Sequence, residues 1–222
     1  MTNQKEQSPD RVWLGGGCMN SMALAQRVNE IRGRYAGWCP QDKGEHVFET
    51  VTAHCPRVSV ELGVYGGQFL ALIASAMQEV TDDISEYAIH GIDPWSTDAL
   101  LSRGGVYSGD CEYWSTLDLE SVYRQTLQAM REFSNVHLHR MDSVSGLVKF
   151  PFPTIDLLHI DGNHSEWHST QDVLNWVPRV RQGGWIYLDD SDWPSLQTAR
   201  RFLLEDADLC AEGKTWLAAR KK

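Results

Sequence analysis

Two apolar runs, Ile155-Asp-Leu-Leu-His-Ile160 and Trp185-Ile-Tyr-Leu188, flank a stretch from about Glu166 to Val177 with helical spacing, and that order is the strongest constraint on the fold. Short runs rich in β-branched, aliphatic and aromatic residues make strands. Two strands separated by a helix-length segment pair in parallel through a right-handed crossover, whereas an antiparallel pair needs only a tight turn. Both runs also end on acid, the first in Asp161-Gly-Asn-His164 and the second in Asp189-Asp190. Parallel neighbours present like ends on one side, so three carboxylates and an imidazole converge at one edge of the sheet. The carboxyl ends of the strands are where open α/β sheets bind ligands.

The alternation extends along the chain. Val58 to Leu62 reads as the first strand, followed by a turn at Gly63, Gly66 and Gly67 and a helix through Phe69, Leu72, Ile73 and Ala76. Ala88 to Asp93 is the second strand, a helix runs from about Leu117 to Phe133, and Val136 to His139 is the third strand. Pro194 suits the first turn of a last helix reaching about Asp206. Asp208 to Ala218 closes a hairpin at Glu212-Gly213, an antiparallel pair at the sheet edge. The expected fold is α/β, a doubly wound and mostly parallel sheet with a C-terminal antiparallel hairpin and N-terminal capping helices. Across the 222 residues the expected divisions are a disordered polar tail over 1–10, a helical cap over 11–56 and the sheet domain over 57–222. The cap's helices are expected at Met19 to Tyr35 and around Glu45 to Ala53. Ser96 to Trp114 is long for a strand-to-helix connection and rich in glycine and aromatic residues, which favours a lid.

With 30 acidic against 20 basic residues the net charge is −10, which repels a phosphate backbone, so nucleic acid is not an expected partner. No run approaches the roughly 20 apolar residues that cross a bilayer, so no membrane partner is expected either. The 5 cysteines are odd in number and lack CxxC spacing, which points to a reducing, cytoplasmic setting. The oligomeric state stays open, a homo-oligomer among the alternatives.

The turn Glu61-Leu-Gly63-Val-Tyr65-Gly66-Gly67 stands where a strand becomes a helix. Glycines there either make a tight turn or let a ligand approach the helix N-terminus. The pattern is E-x-G-x-x-G-G, not the G-x-G-x-x-G of a dinucleotide site. Asp93, ending the next strand, is placed to accept from ribose hydroxyls. Taken with the strand endings Gly91-Ile-Asp-Pro-Trp95 and His159-Ile-Asp-Gly-Asn-His164, this chain resembles the class I S-adenosylmethionine-dependent methyltransferases, in the branch called methyltransferase family 24, from about Val58 to Trp193. The resemblance implies a Rossmann-like fold with S-adenosylmethionine as cofactor. It implies Glu61, Gly63, Tyr65, Gly66 and Gly67 around the methionine part, Asp93 on the ribose, Trp95 against the cofactor, and Asp142 and Ser143 at the adenine. Asp142 has a second reading, as N-cap of a helix starting near Ser143.

Asp161, Asp189 and Asp190 resemble the metal ligands of magnesium-dependent O-methyltransferases, the catechol and macrolide-sugar enzymes among them. Three carboxylates suit a hard dication such as Mg2+ that keeps open positions for substrate oxygens. Adjacent strand residues point to opposite faces, so Asp190 must leave strand geometry if both aspartates are to reach one ion. The alternative is a solvated acidic turn capping the Pro194 helix. His164 resembles the base of the sugar enzymes, with Asp161 beside it, and an imidazole titrates in the right range to take a hydroxyl proton. Of Trp95, Trp114, Trp167 and Trp193, one or two are expected to touch ligand. The expected reaction is methyl transfer to a hydroxyl oxygen of a small molecule, a sugar or a phenol. A nucleotide-dependent oxidoreductase and a non-catalytic S-adenosylmethionine-binding module remain as alternatives.

Overall fold

In the computed structural model, which describes residues 20–98, 114, 116–151 and 153–222, the strands are β1 (Val58–Leu62), β2 (Ala88–Asp93), β3 (Val136–Arg140), β4 (Ile155–Ile160), β5 (Val180–Asp189), β6 (Ala207–Glu212) and β7 (Trp216–Lys221). They form one sheet in the order β3-β2-β1-β4-β5-β7-β6. Pairing is parallel from β3 to β5 and antiparallel through β7 and β6. The helices are α1 (Ser21–Arg34), α2 (Gln41–His54), α3 (Gln68–Gln78), α4 (Leu119–Met130), α5 (Ser143–Gly146), α6 (Glu166–Trp176) and α7 (Gln197–Asp206). The expected mixed sheet with its C-terminal hairpin is therefore present, and Gly213 N–H to Trp216 C=O, 2.9 Å, closes the hairpin turn. Among the described residues no helix is long and apolar enough to cross a membrane.

Successive strand residues point to opposite faces, and the core divides accordingly. Leu157 and Tyr187 pack with Val28 of α1, Val47 and Val51 of α2, Leu70 of α3 and Met130 of α4. Their chain neighbours Leu158 and Ile186 pack with Val173 and Trp176 of α6 and Ala199 and Leu203 of α7. With helices on both faces, β1 and β4 are apolar runs buried on either side.

Several boundaries shift by up to three residues, and two differ by more. β5 begins at Val180 rather than Trp185 because Gly183, with φ +74°, sits in an irregularity that lets Val180 pair with Ile155 before Trp185 meets Leu157. The glycine pair and the polar Arg181-Gln182 hide that extension from a reading based on apolar runs. α2 begins at Gln41, directly after Pro40 as its N-cap, and so takes in Lys43, which the expected helix left outside. The expected tail at 1–10 and nearly all of the expected lid from Ser96 to Trp114 lie outside the described residues.

Candidate active site

A cavity of about 960 Å³ opens at the carboxyl ends of β1, β2, β4 and β5. Of the residues singled out in the sequence, Glu61, Gly63, Tyr65, Asp93, Trp95, Asp142, Ser143, Asp161, His164, Asp189 and Asp190 line it. Gly66 and Gly67 do not line it: a Cβ on Gly66 would stand 2.5 Å from Ala36, and Gly67 faces Met130. Gly66 is thus packed against the connection between α1 and α2, and Gly67 against α4. Gly63, at φ +81°, is fixed by protein too, since a Cβ there would lie 1.9 Å from the Asp161 carbonyl oxygen.

Asp93 organises the end of the cavity at β1 and β2. Its Oδ2 accepts from the backbone N–H of Val64 (2.9 Å) and Tyr65 (3.0 Å), and its Oδ1 from that of Trp95 (2.6 Å). Tyr65 and Trp95 both sit in the left-handed region, φ +49° and +43°, a conformation that costs a bulky residue roughly 1–2 kcal/mol. The tyrosine carbonyl accepts from Trp95 Nε1 (2.9 Å) and Thr126 Oγ1 (2.8 Å), which ties the two turns together. Burial raises the Asp93 carboxyl and its three N–H donors oppose that.

Below this turn, Glu61 Oε1 lies 3.0 Å from His159 Nδ1, and the imidazole stacks on Phe69 at 3.7 Å between centroids. Burial, then the neighbouring Asp161, pushes the Glu61 carboxyl well above the usual range, and burial pushes His159 well below its own. Glu61 Oε2 is buried with no hydrogen-bond partner among the described residues, and an unmet buried acceptor is costly unless a ligand donor fills it.

The acidic end divides into two parts. Lys43, fully buried, places Nζ 2.6 Å from Asp189 Oδ2; burial alone would raise Asp189, but the ammonium holds it low. His164 Nε2 lies 3.4 Å from Asp161 Oδ1 and 3.2 Å from Asp190 Oδ2, with Trp193 against its ring at 5.0 Å. Asp190 has φ +46° and so leaves strand geometry, but it and Asp189 fall in different groups of potential ligands. Burial pushes the Asp190 carboxyl up to about 6 against the pull of His164. Burial lowers His164, yet the two carboxylates, Asp161 first, leave it raised overall. Burial and Asp189 raise Asp161. Potential ligand atoms come together as Asp161, His164 and Asp190, and separately as His159, Asp161 and Asp189, each set within 4.8 Å. The predicted trio of aspartates is thus split between two groups that share Asp161.

At the far end, Asp142 accepts from Ser145 N–H at 2.8 Å and caps α5, as its second reading held, while still lining the cavity. Ser143 Oγ donates to Asp172 Oδ1 at 2.5 Å, and burial pushes the Asp172 carboxyl up to about 7. Lys43, Asp172 and Trp38 line the cavity and were missed in the sequence. Lys43 left a signal: it shares an i, i+4, i+8 stripe with the buried Val47 and Val51. Trp38 meets Tyr65 at 4.6 Å and Trp114 at 5.8 Å, forming an aromatic wall. Trp95, Trp114, Trp167 and Trp193 all line the cavity.

A family model described as a methyltransferase domain matches residues 60–191. No curated protein matches the chain in sequence. Among solved structures it is similar to the O-methyltransferase NovP, at 21% identity and TM-score 0.55, over 89% of this chain and 80% of that one. It is also similar to the O-methyltransferase from Bacillus cereus in complex with SAH, at 14% identity and TM-score 0.54, over 89% and 90% of the two chains. CalS11, a TDP-rhamnose 3'-O-methyltransferase of calicheamicin biosynthesis, matches at 15% identity and TM-score 0.53 over 91% and 96%. At such identities the likeness is one of fold.

Proposed function

Because the chain belongs to the methyltransferase-domain family, we propose that it transfers a methyl group from S-adenosylmethionine to a hydroxyl oxygen of a small molecule, with a sugar or a phenol as acceptor. The observation that carries this reading is the His164 imidazole held between Asp161 and Asp190 at the wall of the same cavity that the Glu61 and Asp93 turns enter. Family membership sets the oxidoreductase alternative aside. The O-methyltransferases of like fold include one that bears SAH and one that acts on a nucleotide sugar, and both lend support to oxygen as acceptor.

The cavity's donors and acceptors fit the cofactor. The unmet Glu61 Oε2 suits the methionine ammonium, the one remaining lone pair of Asp93 suits a ribose hydroxyl, and the Ser143–Asp172 pair with Asp142 offers polar edges to a base. When bound, S-adenosylmethionine supplies an electrophilic methyl on its sulfonium. His164 then takes the acceptor hydroxyl's proton, and the Asp161 and Asp190 carboxylates hold the ring in place and stabilise the imidazolium that forms. Trp193 and the other tryptophans wall the cavity and exclude water from the attacking oxygen. The donor set Asp161 and Asp190 also fits a hard dication such as Mg2+, which would supply a Lewis-acid hold on the acceptor oxygen.

The test is turnover with labelled S-adenosylmethionine against nucleotide-sugar and phenolic acceptors. His164→Ala is expected to lower turnover by roughly 10²- to 10⁴-fold, the usual span for a general base, while calorimetry finds cofactor affinity unchanged. Wild-type turnover in that variant would remove the base assignment. Chelator is expected to lower turnover without loosening the cofactor, and full activity in chelator would discard the dication.

A further inference from the structure

The acidic site contains a cation of its own. Lys43 Nζ lies 2.6 Å from Asp189 Oδ2 and 5.1 Å above the Phe69 ring, on a side chain with 0% exposure that lines the cavity. Burying an ammonium costs more than burying an alkyl chain of the same size unless it is fully paired. Its stripe neighbours Val47 and Val51 are apolar, so the pattern of this buried helix face does not by itself call for a lysine. A dication at Asp189 would have to displace or repel that charge. On the open side Asp161 and Asp190 face His164; the Lys43 charge pulls both carboxyls down, but among the described residues its ion pair is with Asp189.

We propose that Lys43 is a positioning residue, the tethered counter-ion that reserves Asp189, leaving Asp161 and Asp190 beside His164 as the carboxylates available to acceptor and to a divalent ion. Lys43 thereby sets the metal affinity of the site from behind the ligands. The assignment of an acceptor side rests on the methyl-transfer reading, but the test below reads metal binding and needs no turnover, so loss of one leaves the other standing.

The experiment is titration of the purified full chain with Mn2+, with free ion counted by electron paramagnetic resonance. In Lys43→Met, Asp189 is released to the site and a repelling charge is lost, so Mn2+ affinity is expected to rise by roughly 10-fold, opposite in sign to the roughly 10- to 100-fold loss that follows when a group supporting a metal ligand is removed. In the double variant Lys43→Met/Asp189→Asn no carboxylate is gained, and affinity is expected to return to the wild-type value. Equal Mn2+ affinity in wild type and Lys43→Met would overturn the proposal, since a merely structural lysine would leave the ion indifferent to its loss. Should Lys43→Met fail to fold, thermal midpoints decide: recovery of folding in the double variant supports the pairing, and no recovery overturns it.

Discussion

Asp93 carries more of the site than a single ribose contact would require. With three backbone N–H groups on its two oxygens, it is what holds Tyr65 and Trp95 in left-handed conformations. Asp93→Ala should therefore lower the thermal midpoint and the cofactor affinity together, each hydrogen bond to the carboxylate being worth about 1.5–3 kcal/mol. Melting curves and calorimetry on the same variant check this; weaker binding with an unmoved midpoint would reduce Asp93 to a ligand contact. The strand-end residues Glu61, Asp93, Asp161, Asp189 and Asp190 were legible because a carboxylate at the end of a buried apolar run costs desolvation energy that packing does not return. Lys43 and Asp172 were not, since a charged residue within a helix reads by default as part of its solvated face.

The β2–β3 pair shows how an element can carry its own pH dependence. His90 stands in register with His137 and lies 3.0 Å, Nδ1 to Nε2, from His139, with the Phe150 ring at 5.1 Å. Burial, then His139, His137 and Lys149, pushes His90 down to about 4. A base held below its unfolded value stabilises the fold in its neutral form. That contribution is complete above the unfolded value of 6.5 and is lost as pH falls toward about 4. Urea midpoints should thus decline between those limits more steeply in the wild type than in His90→Gln, and parallel slopes would show the cluster to be silent. The strand pattern itself was read almost completely from period and turn residues. The two boundaries furthest from expectation, at β5 and α2, lie where a glycine-bearing irregularity and a proline N-cap override the apolar pattern.

At the scale of the molecule, the N-terminal helices share a core with the sheet. Val28, Val47, Phe48 and Val51, all buried, join one cluster with α3, β4 and β5. Each buried side chain of this kind contributes about 1.5–3 kcal/mol, against a net stability of about 5–15 kcal/mol for a whole domain. A chain trimmed to 57–222 should consequently lose cooperative melting by circular dichroism; a sharp transition at the wild-type temperature would show the helices to be dispensable.

The crowding at Gly63 bears on how such a protein can diversify. The turn after β1 and the carbonyl of Asp161 after β4 meet backbone to backbone, and Asp161 N–H donates to Leu62 C=O at 2.9 Å. The two strand ends are therefore joined backbone to backbone, and on the proposed reading, with the methyl donor at the first and the acceptor at the second, this seam fixes the length of the transfer path. New acceptors are more readily accommodated by recasting the tryptophan walls than by reshaping that seam, and a chimera that joins the glycine turn of one relative to the aspartate ending of another inherits the alignment only if both glycine and carbonyl come with it.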